Sequence, residues 1–390
     1  MTDMPHIVHL VRRTSGGMQT HLLDLVSGLS ARGYRLSVIS PPNQVLKEQL
    51  CLTDVPHYEI DISDRMSPKD FLAVTRLARC FKTLRPDVLH IHGNKTALVG
   101  VPAAALANVN AIVLTVHNYL RYEEATSPLS AAAGLVERRL AKRISKIIAV
   151  SHSIKDGLVE SQRIDPSKVT VIHNGIDLRK WDGIRAPDRH ARAELGLSSD
   201  DFAIVAVGRL VEFKGHEILI EATALAASRP RLRVLIAGDG PLLSELKESI
   251  DRRGLQENVR LLGRVPDVGK LMAASDLFVF PSLKEPFGLV LLEAQAVGLP
   301  IIACDAGGAS EIIEDGVTGM LVAPGDATAL AAAIDDLVED ASKRRDLALA
   351  GQAAVATRFS LNRFIVQVEE VYGSLAKSAR RKSDSAKIGI

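Results

Sequence analysis

Ten short apolar runs, interleaved with longer segments of helical period, are what most restrict the folds open to this chain. In the first half the runs fall at residues 7–11, 35–40, 88–92, 111–116 and 146–150, with helical patterns at 18–31, 69–84 and 135–145. The second half repeats the scheme, with runs at 203–207, 233–237, 259–262, 277–280 and 300–303, and helical patterns at 215–227, 241–253, 268–274, 288–297 and 327–339. Parallel strands need a crossover of a dozen or more residues, and strands covered on both faces read as unbroken apolar runs. The alternation therefore predicts an α/β fold of two domains, each built on a mostly parallel sheet. A polar stretch at 177–201, holding Trp181, Pro187 and a Gly/Ser turn at 196–199, marks the junction. The expected division is 1–180, then 181–360, then a helix over 361–379 and a polar, charged, disordered tail at 380–390.

Bulk properties narrow the function classes. A chain of 390 residues, 47% hydrophobic and 24% charged, can form two ordinary soluble cores. A formal net charge of +2 argues against nucleic acid as a partner. No apolar run approaches the ~20 residues that span a bilayer, and the first strand begins too near Met1 to leave room for a signal peptide. Cys51, Cys80 and Cys304 form no disulfide or metal pattern. A cytoplasmic, reduced protein is expected.

The chemistry-bearing residues gather where predicted strands end, the edge at which open α/β sheets bind ligands. After the run 203–207 come Arg209 and Lys214, two cations just before a helix. Such a pair suits a diphosphate, whose charge it neutralises while free helix N–H groups add donors. After 277–280 comes Glu285-Pro286-Phe287-Gly288, with Glu293 further down the following helix. A carboxylate there can accept hydrogen bonds from paired ribose hydroxyls. Three further loops follow strands: Gly238-Asp239-Gly240, then Gly263-Arg264-Val265, then Gly307-Gly308 with Glu311. In the first half, Gly16-Gly17 lies between the first run and the first helix, where exposed N–H groups can meet an anion. The sequence from Gly16 to His21 departs from GxGxxG, and Asn43 is a poor match for an acidic ribose-binding residue, which disfavours a dinucleotide enzyme. Thr115-Val116-His117-Asn118 ends a strand, His92 ends another, and Ser151 or Ser153 can cap a helix. No Asp-x-Asp motif appears, so no dedicated metal site is expected.

The Glu285…Glu293 spacing, the Gly208-Arg209-Leu210…Lys214-Gly215 loop, Thr115-Val116-His117-Asn118 and Asn174-Gly175-Ile176-Asp177 together resemble glycosyltransferase family 4, retaining nucleotide-sugar glycosyltransferases related to glycogen synthase and sucrose synthase. The resemblance implies the GT-B architecture, two Rossmann-like domains facing across a deep cleft, with the last helix returning to the first domain. It implies that the second domain holds the donor. Arg209 and Lys214 would grip its pyrophosphate and stabilise the leaving nucleoside diphosphate. Glu293 would bind the ribose, and Glu285 would lie near the sugar ring. The backbone of Phe287, Gly288 and Leu289 would meet the phosphate, and the backbone of Arg264 and Val265 the base. Glu311 either supports its loop or touches the sugar. In the first domain Gly16 and Gly17 would lie near the donor phosphates or the acceptor, and His117 near the sugar's C6 hydroxyl. His92 is a further cleft candidate. Family chemistry is transfer with retained configuration by same-face attack, often without a metal, although dissolved Mg²⁺ can still assist.

The implied reaction moves a hexose or N-acetylhexosamine from a nucleoside diphosphate sugar to a glycan, lipid-linked or small-molecule hydroxyl, as in cell-surface polysaccharide synthesis. A nucleotide-sugar epimerase or hydrolase on the same fold, and a non-catalytic sugar-binding subunit, are the alternatives. The stretch 135–146, with Arg138, Arg139, Lys142, Arg143 and Lys146, is either a solvated face or a contact for anionic lipid on the inner face of the membrane.

Overall fold

The computed structural model describes residues 4–14, 16–63, 69–119 and 138–388, and the chain divides into two units. One comprises residues 1–175 and 361–390, the other 176–360.

The first unit is a seven-stranded parallel sheet of β1 (His6–Val11), β2 (Arg35–Ser40), β3 (His57–Glu59), β4 (Val88–His92), β5 (Ile112–Val116), β6 (Lys146–Ala149) and β7 (Val169–Val171). Its order is β3-β2-β1-β4-β5-β6-β7, so the chain starts at the centre, winds one way, and returns past its start. All residues of β1, β4 and β5 are buried, as strands covered on both faces must be. The covering helices are α1 (Gly17–Ser30), α2 (Gln44–Cys51), α3 (Lys69–Leu84), α4 (Asn94–Leu106) and the short α5 (His152–Asp156).

The second unit repeats the winding with β8 (Phe202–Val207), β9 (Leu232–Ala237), β10 (Val259–Gly263), β11 (Leu277–Phe280), β12 (Ile301–Cys304) and β13 (Met320–Val322), in the order β10-β9-β8-β11-β12-β13. Its helices are α6 (Arg189–Glu194), α7 (His216–Leu225), α8 (Leu243–Arg252), α9 (Val268–Ala273), α10 (Leu289–Val297), α11 (Ala309–Ile312), α12 (Ala327–Glu339) and α13 (Ala341–Arg358). In each unit the order reverses between two central strands, β1 and β4 or β8 and β11. That reversal opens a crevice at their carboxyl ends.

Several features depart from the sequence reading. The chain passes between units at 175–176, not 180–181, and Ile176 N–H donates to Phe359 O (3.0 Å), so both crossings lie side by side in the second unit. Helix α4 was not predicted. Buried on several sides through Thr96, Ala97, Val99, Gly100, Val101, Ala103 and Ala104, it shows no amphipathic period, and Pro102 within it reads as a breaker. The final helix, α14, runs over Leu361–Ile388. Phe364, Ile365, Val368 and Tyr372 join the first unit's core, and a Cβ at Gly28 of α1 would lie 2.7 Å from Ile365 Cδ1. The tail expected to be disordered continues this helix to Ile388. Polarity alone does not end a helix, and residues 374–388 contain neither Gly nor Pro.

Of the basic stretch, residues 135–137 lie outside the described residues. Residues 138–141 are helical, and Arg138, Arg139, Lys142 and Arg143 are exposed while Ile144 is buried. Lys168 Nζ donates to the carbonyls of Ala141, Lys142 and Ile144 at 3.0–3.2 Å, capping this turn with a further cation. No helix among the described residues is long and apolar enough to cross a membrane.

Candidate functional site

Each unit carries its candidate residues at its own crevice. In both, the helices following the two central strands begin on a left-handed glycine with no side-chain cap. These glycines are Gly16 (φ 60°) before α1, Gly93 (φ 84°) before α4, Gly215 (φ 66°) before α7 and Gly288 (φ 100°) before α10. Elsewhere Asn43, Ser151, Asp267, Asp326 and Asp340 cap α2, α5, α9, α12 and α13 with side-chain oxygens. At the crevices the capping residue, being glycine, offers no side-chain oxygen to the first-turn N–H groups, and a helix start of this kind can receive an anion.

In the second unit the loops after β8 and β11 are locked together. A Cβ on Gly215 would fall 1.9 Å from Pro281 O, so only glycine permits this approach, and Leu283 N–H donates to Phe213 O (2.8 Å). The contact joins Lys214 to Glu285: Nζ and Oε2 are 2.5 Å apart, at 19% and 9% side-chain exposure. The ammonium also lies 5.3 Å from the centroid of the Phe280 ring, and Ser282 Oγ reaches Glu285 Oε2 at 3.5 Å. Arg209 is exposed on the same loop and has no carboxylate partner among the described residues. His216, the first residue of α7, is buried, and burial pushes its pKa down to about 4.

The glycine loops buttress this arrangement. A Cβ on Gly238 would lie 1.8 Å from Gly208 O, and Leu210 N–H donates to Asp239 O (2.8 Å), so the β9 loop shapes the turn that carries Arg209. Gly308 N–H donates to Glu285 O (2.8 Å), and a Cβ there would lie 2.5 Å from Phe287 Cα. Phe287 turns its buried ring onto Phe359 (centroids 6.2 Å apart). Glu293 is half-buried on α10, Glu311 is half-buried on α11, Arg264 is exposed and Val265 half-buried just past β10. Gly263 O accepts from Gly238 N–H (2.8 Å), which ties the Arg264 loop to the β9 loop.

The first unit's crevice has a different chemistry. Beside Gly16 and Gly17, five histidines converge from β1, α1, β4 and the end of β5: His9, His21, His90, His92 and His117. His9 Nδ1 lies 3.1 Å from His92 Nε2, and His92 Nδ1 lies 3.4 Å from His117 Nε2. His90 meets the Tyr372 hydroxyl (2.5 Å) and Thr115 Oγ1 (2.7 Å). The His21 ring sets its edge on His117, centroids 4.6 Å apart. Burial pushes His9 to about 3 and His21 to about 4, and holds His90, His92 and His117 well below the ordinary imidazole range. The cluster is neutral near pH 7. Two sets, His9/His90/His92 and His21/His92/His117, keep ligand nitrogens within 4.8 Å of one another. Four of those nitrogens already face each other at hydrogen-bond distance, and we assign no metal to them.

Of these five, His92 and His117 stand out in the sequence as strand-end residues, whereas His9, His21 and His90 do not. Alternation on β4 was the available signal, since His90 and His92 share a face opposite Leu89 and Ile91. The register that puts His9 opposite His90 is not in the sequence. Asn43 serves the local structure, its Oδ1 accepting from Leu46 N–H (3.1 Å) and its amide donating to Thr14 O (3.2 Å). Ser151 Oγ accepts from Ile154 N–H (3.1 Å), and Ser153 meets the Tyr119 hydroxyl (2.7 Å).

Similarity to known proteins follows the same division. Residues 15–180 match Glycosyltransferase Family 4, and residues 188–354 match Glycosyl transferases group 1. The UDP-Gal:alpha-D-GlcNAc-diphosphoundecaprenol alpha-1,3-galactosyltransferase of Escherichia coli is 31% identical over 65% of this chain and 67% of its own. D-inositol 3-phosphate glycosyltransferase of Thermobispora bispora is 29% identical over 94% and 92%. Among solved structures, Anabaena HepE in complex with UDP-glucose superposes with a TM-score of 0.83 at 28% identity, covering 95% of this chain and all (100%) of that one.

Proposed function

The chain belongs to the GT-B glycosyltransferases, nucleotide-sugar-dependent enzymes, and on that premise we propose that it transfers a hexose or N-acetylhexosamine, with retention of configuration, from a UDP-sugar to a hydroxyl of a lipid-linked or growing glycan. The observation that carries this reading is the second unit's crevice. There the Lys214–Glu285 pair and the exposed Arg209 guanidinium stand beside two helix starts without side-chain caps. UDP is favoured by the HepE complex and by the donor named for the Escherichia coli relative. The acceptor class is suggested by that relative's diphosphoundecaprenol substrate.

In this reading the diphosphate sits on the N–H groups of Gly288 and Leu289, with Arg209 and Lys214 on its oxygens. Charge grows on the leaving phosphate as the glycosidic bond breaks, and fixed cations stabilise that state more than the ground state. Glu285 holds the Lys214 ammonium in place and lies near the sugar ring. Glu293 takes the ribose, and the backbone of Arg264 and Val265 takes the base. In the first unit, Gly16, Gly17 and His117 are the residues proposed to meet substrate. Same-face attack lets the departing phosphate accept the acceptor's proton, so the protein's part is positioning and charge stabilisation. The exposed cations at 138–143 supply a surface for anionic lipid.

Calorimetry of the purified chain against UDP-, GDP- and ADP-sugars tests the donor. Selective micromolar binding of one UDP-sugar is expected, and equal or absent binding of all three overturns the assignment. Proton NMR of the first-formed product reads its anomeric configuration, and inversion refutes the retaining mechanism. Cosedimentation with anionic vesicles that does not exceed that with neutral ones removes the lipid contact.

A further inference from the structure

Arg209 is exposed and has no carboxylate partner among the described residues, so the turn beneath it decides where its guanidinium stands. The β9 loop makes one wall of that turn. Gly208 N–H donates to Ala237 O (3.0 Å), Leu210 N–H to Asp239 O (2.8 Å) and Leu242 N–H to Leu210 O (3.1 Å). Within the turn, Val211 N–H closes onto Arg209 O (2.9 Å). A second wall comes from His216, the first residue of α7. A Cβ on Gly208 would lie 3.5 Å from His216 Nε2 and 3.6 Å from Lys214 Cδ, so the ring and the Lys214 stem flank one point on the turn. His216 thus touches the supports of both cations in the second unit's crevice.

The ring is 3% exposed, and burial pushes its pKa down to about 4, which leaves it neutral near pH 7. The backbone of Arg209 and, more weakly, that of Gly208 pull the other way. Carbonyl oxygens facing the ring have that effect, because they favour its protonated form. Neither ring nitrogen, however, completes a hydrogen bond among the described residues. A neutral imidazole carries one N–H. A buried donor therefore stands beside the turn without closing onto it, and an N–H left in that state destabilises the chain that holds it. A small movement of the turn toward the ring removes the cost.

We propose that His216 is a positioning residue for the donor diphosphate: its buried N–H donates to the Arg209 carbonyl as the Arg209 guanidinium takes hold of a phosphate oxygen. The proposal rests on the reading of Arg209 as a donor-site cation given above. Donor binding then makes two contacts through one residue, the guanidinium on the substrate and the carbonyl on the ring below. An apolar ring at 216 would fill the same volume and leave Arg209 without the lower contact.

Proton–nitrogen NMR of the full chain at pH 7, with and without UDP, tests this. The His216 ring N–H proton should move downfield on saturation with UDP, and should stay in place when Arg209→Gln is saturated. A ring proton that UDP leaves unmoved in the wild type overturns the proposal, and this spectrum decides even where a His216 variant fails to fold. Calorimetry of UDP binding completes a double-mutant cycle. His216→Phe keeps a flat ring without a donor and should weaken binding about 10-fold, roughly one hydrogen bond. Added to Arg209→Gln it should cost little more, and fully additive losses refute the link between the two residues. The Tm of free His216→Phe should hold or rise, since the unpaired N–H is gone. A lowered Tm with unchanged UDP affinity overturns the proposal in favour of packing alone. Arg209→Gln that binds UDP as tightly as the wild type removes the donor reading of Arg209 and the proposal with it, a failure seen without any His216 variant.

Discussion

The two units wind their sheets in the same order around a reversal, and both start the flanking helices on left-handed glycines, yet their polar groups differ in kind. The second unit's crevice is ionic, with Lys214 against Glu285 and Arg209 held ready. The first unit's is neutral, with five imidazoles kept uncharged by burial. A diphosphate needs fixed cations, whereas a sugar's hydroxyls need donors and acceptors of set direction. One topology thus carries two kinds of polar chemistry, and the difference lies in a handful of side chains at strand ends.

The largest effect expected from this contrast is on acid stability. His9 and His21 have folded pKa values of about 3 and about 4, below the ordinary 6.5. As pH falls from 6.5 the unfolded rings take up protons that the folded rings refuse, so stability falls with pH across that window and is fully restored above it. These two rings alone should remove on the order of 3 kcal/mol between pH 6.5 and 5, because the unfolded rings start half protonated and the slope then rises toward about 1.4 kcal/mol per ring and pH unit. Among the described residues of the second unit, His216 is the histidine lowered in this way, to about 4. Hydrogen exchange at pH 5 should therefore find the first unit opening before the second, and simultaneous opening would break the comparison.

Lys214→Ala comes next, with turnover falling about 100- to 1,000-fold as the leaving group loses its fixed cation. It should also lower Tm, since Glu285 is left buried without its partner. Unchanged transfer rates would dissolve the ionic character assigned to the second crevice. Arg209→Gln separates the two effects. It is exposed with no carboxylate partner among the described residues, so turnover should fall about 10- to 100-fold while Tm holds. The smallest change is a control. Asn43→Ala in the first unit and Asp340→Ala in the second each remove a helix cap and should each cost about 1 kcal/mol by denaturant titration. Unequal losses would mean the units differ in more than their crevices.

Much of the scaffold was legible because parallel strands buried on both faces leave unbroken apolar runs, as in β1, β4 and β8. Elements without that mark were missed: β3, β7 and β13 have three residues each, and α4 is buried too evenly to show a period. Helix α13 buries only Leu347, Gly351 and Val355, a stripe too thin to stand out. Individual crevice residues could be named from their positions after strands. Their partners could not, because the Lys214–Glu285 contact spans 71 residues and exists only once β8 and β11 are neighbours. The glycines are the instructive case. Gly238 and Gly240 read as a turn into a helix, but their structural necessity is the approach of Gly208 and Leu210 carbonyl oxygens, at 1.8 and 2.3 Å from an added Cβ.

The hydrogen bond from Ile176 to Phe359 gives the second unit abutting ends, while the first is assembled from two separated pieces of chain. Residues 176–360 are therefore an uninterrupted cassette, and neighbouring termini are what circular permutation and domain grafting require. Such a segment is the natural piece to close into a ring by a short peptide, or to exchange for the matching segment of a relative. The remainder has no such freedom: lacking the insert, it needs its own bridge from 175 to 361 before α14 can find α1.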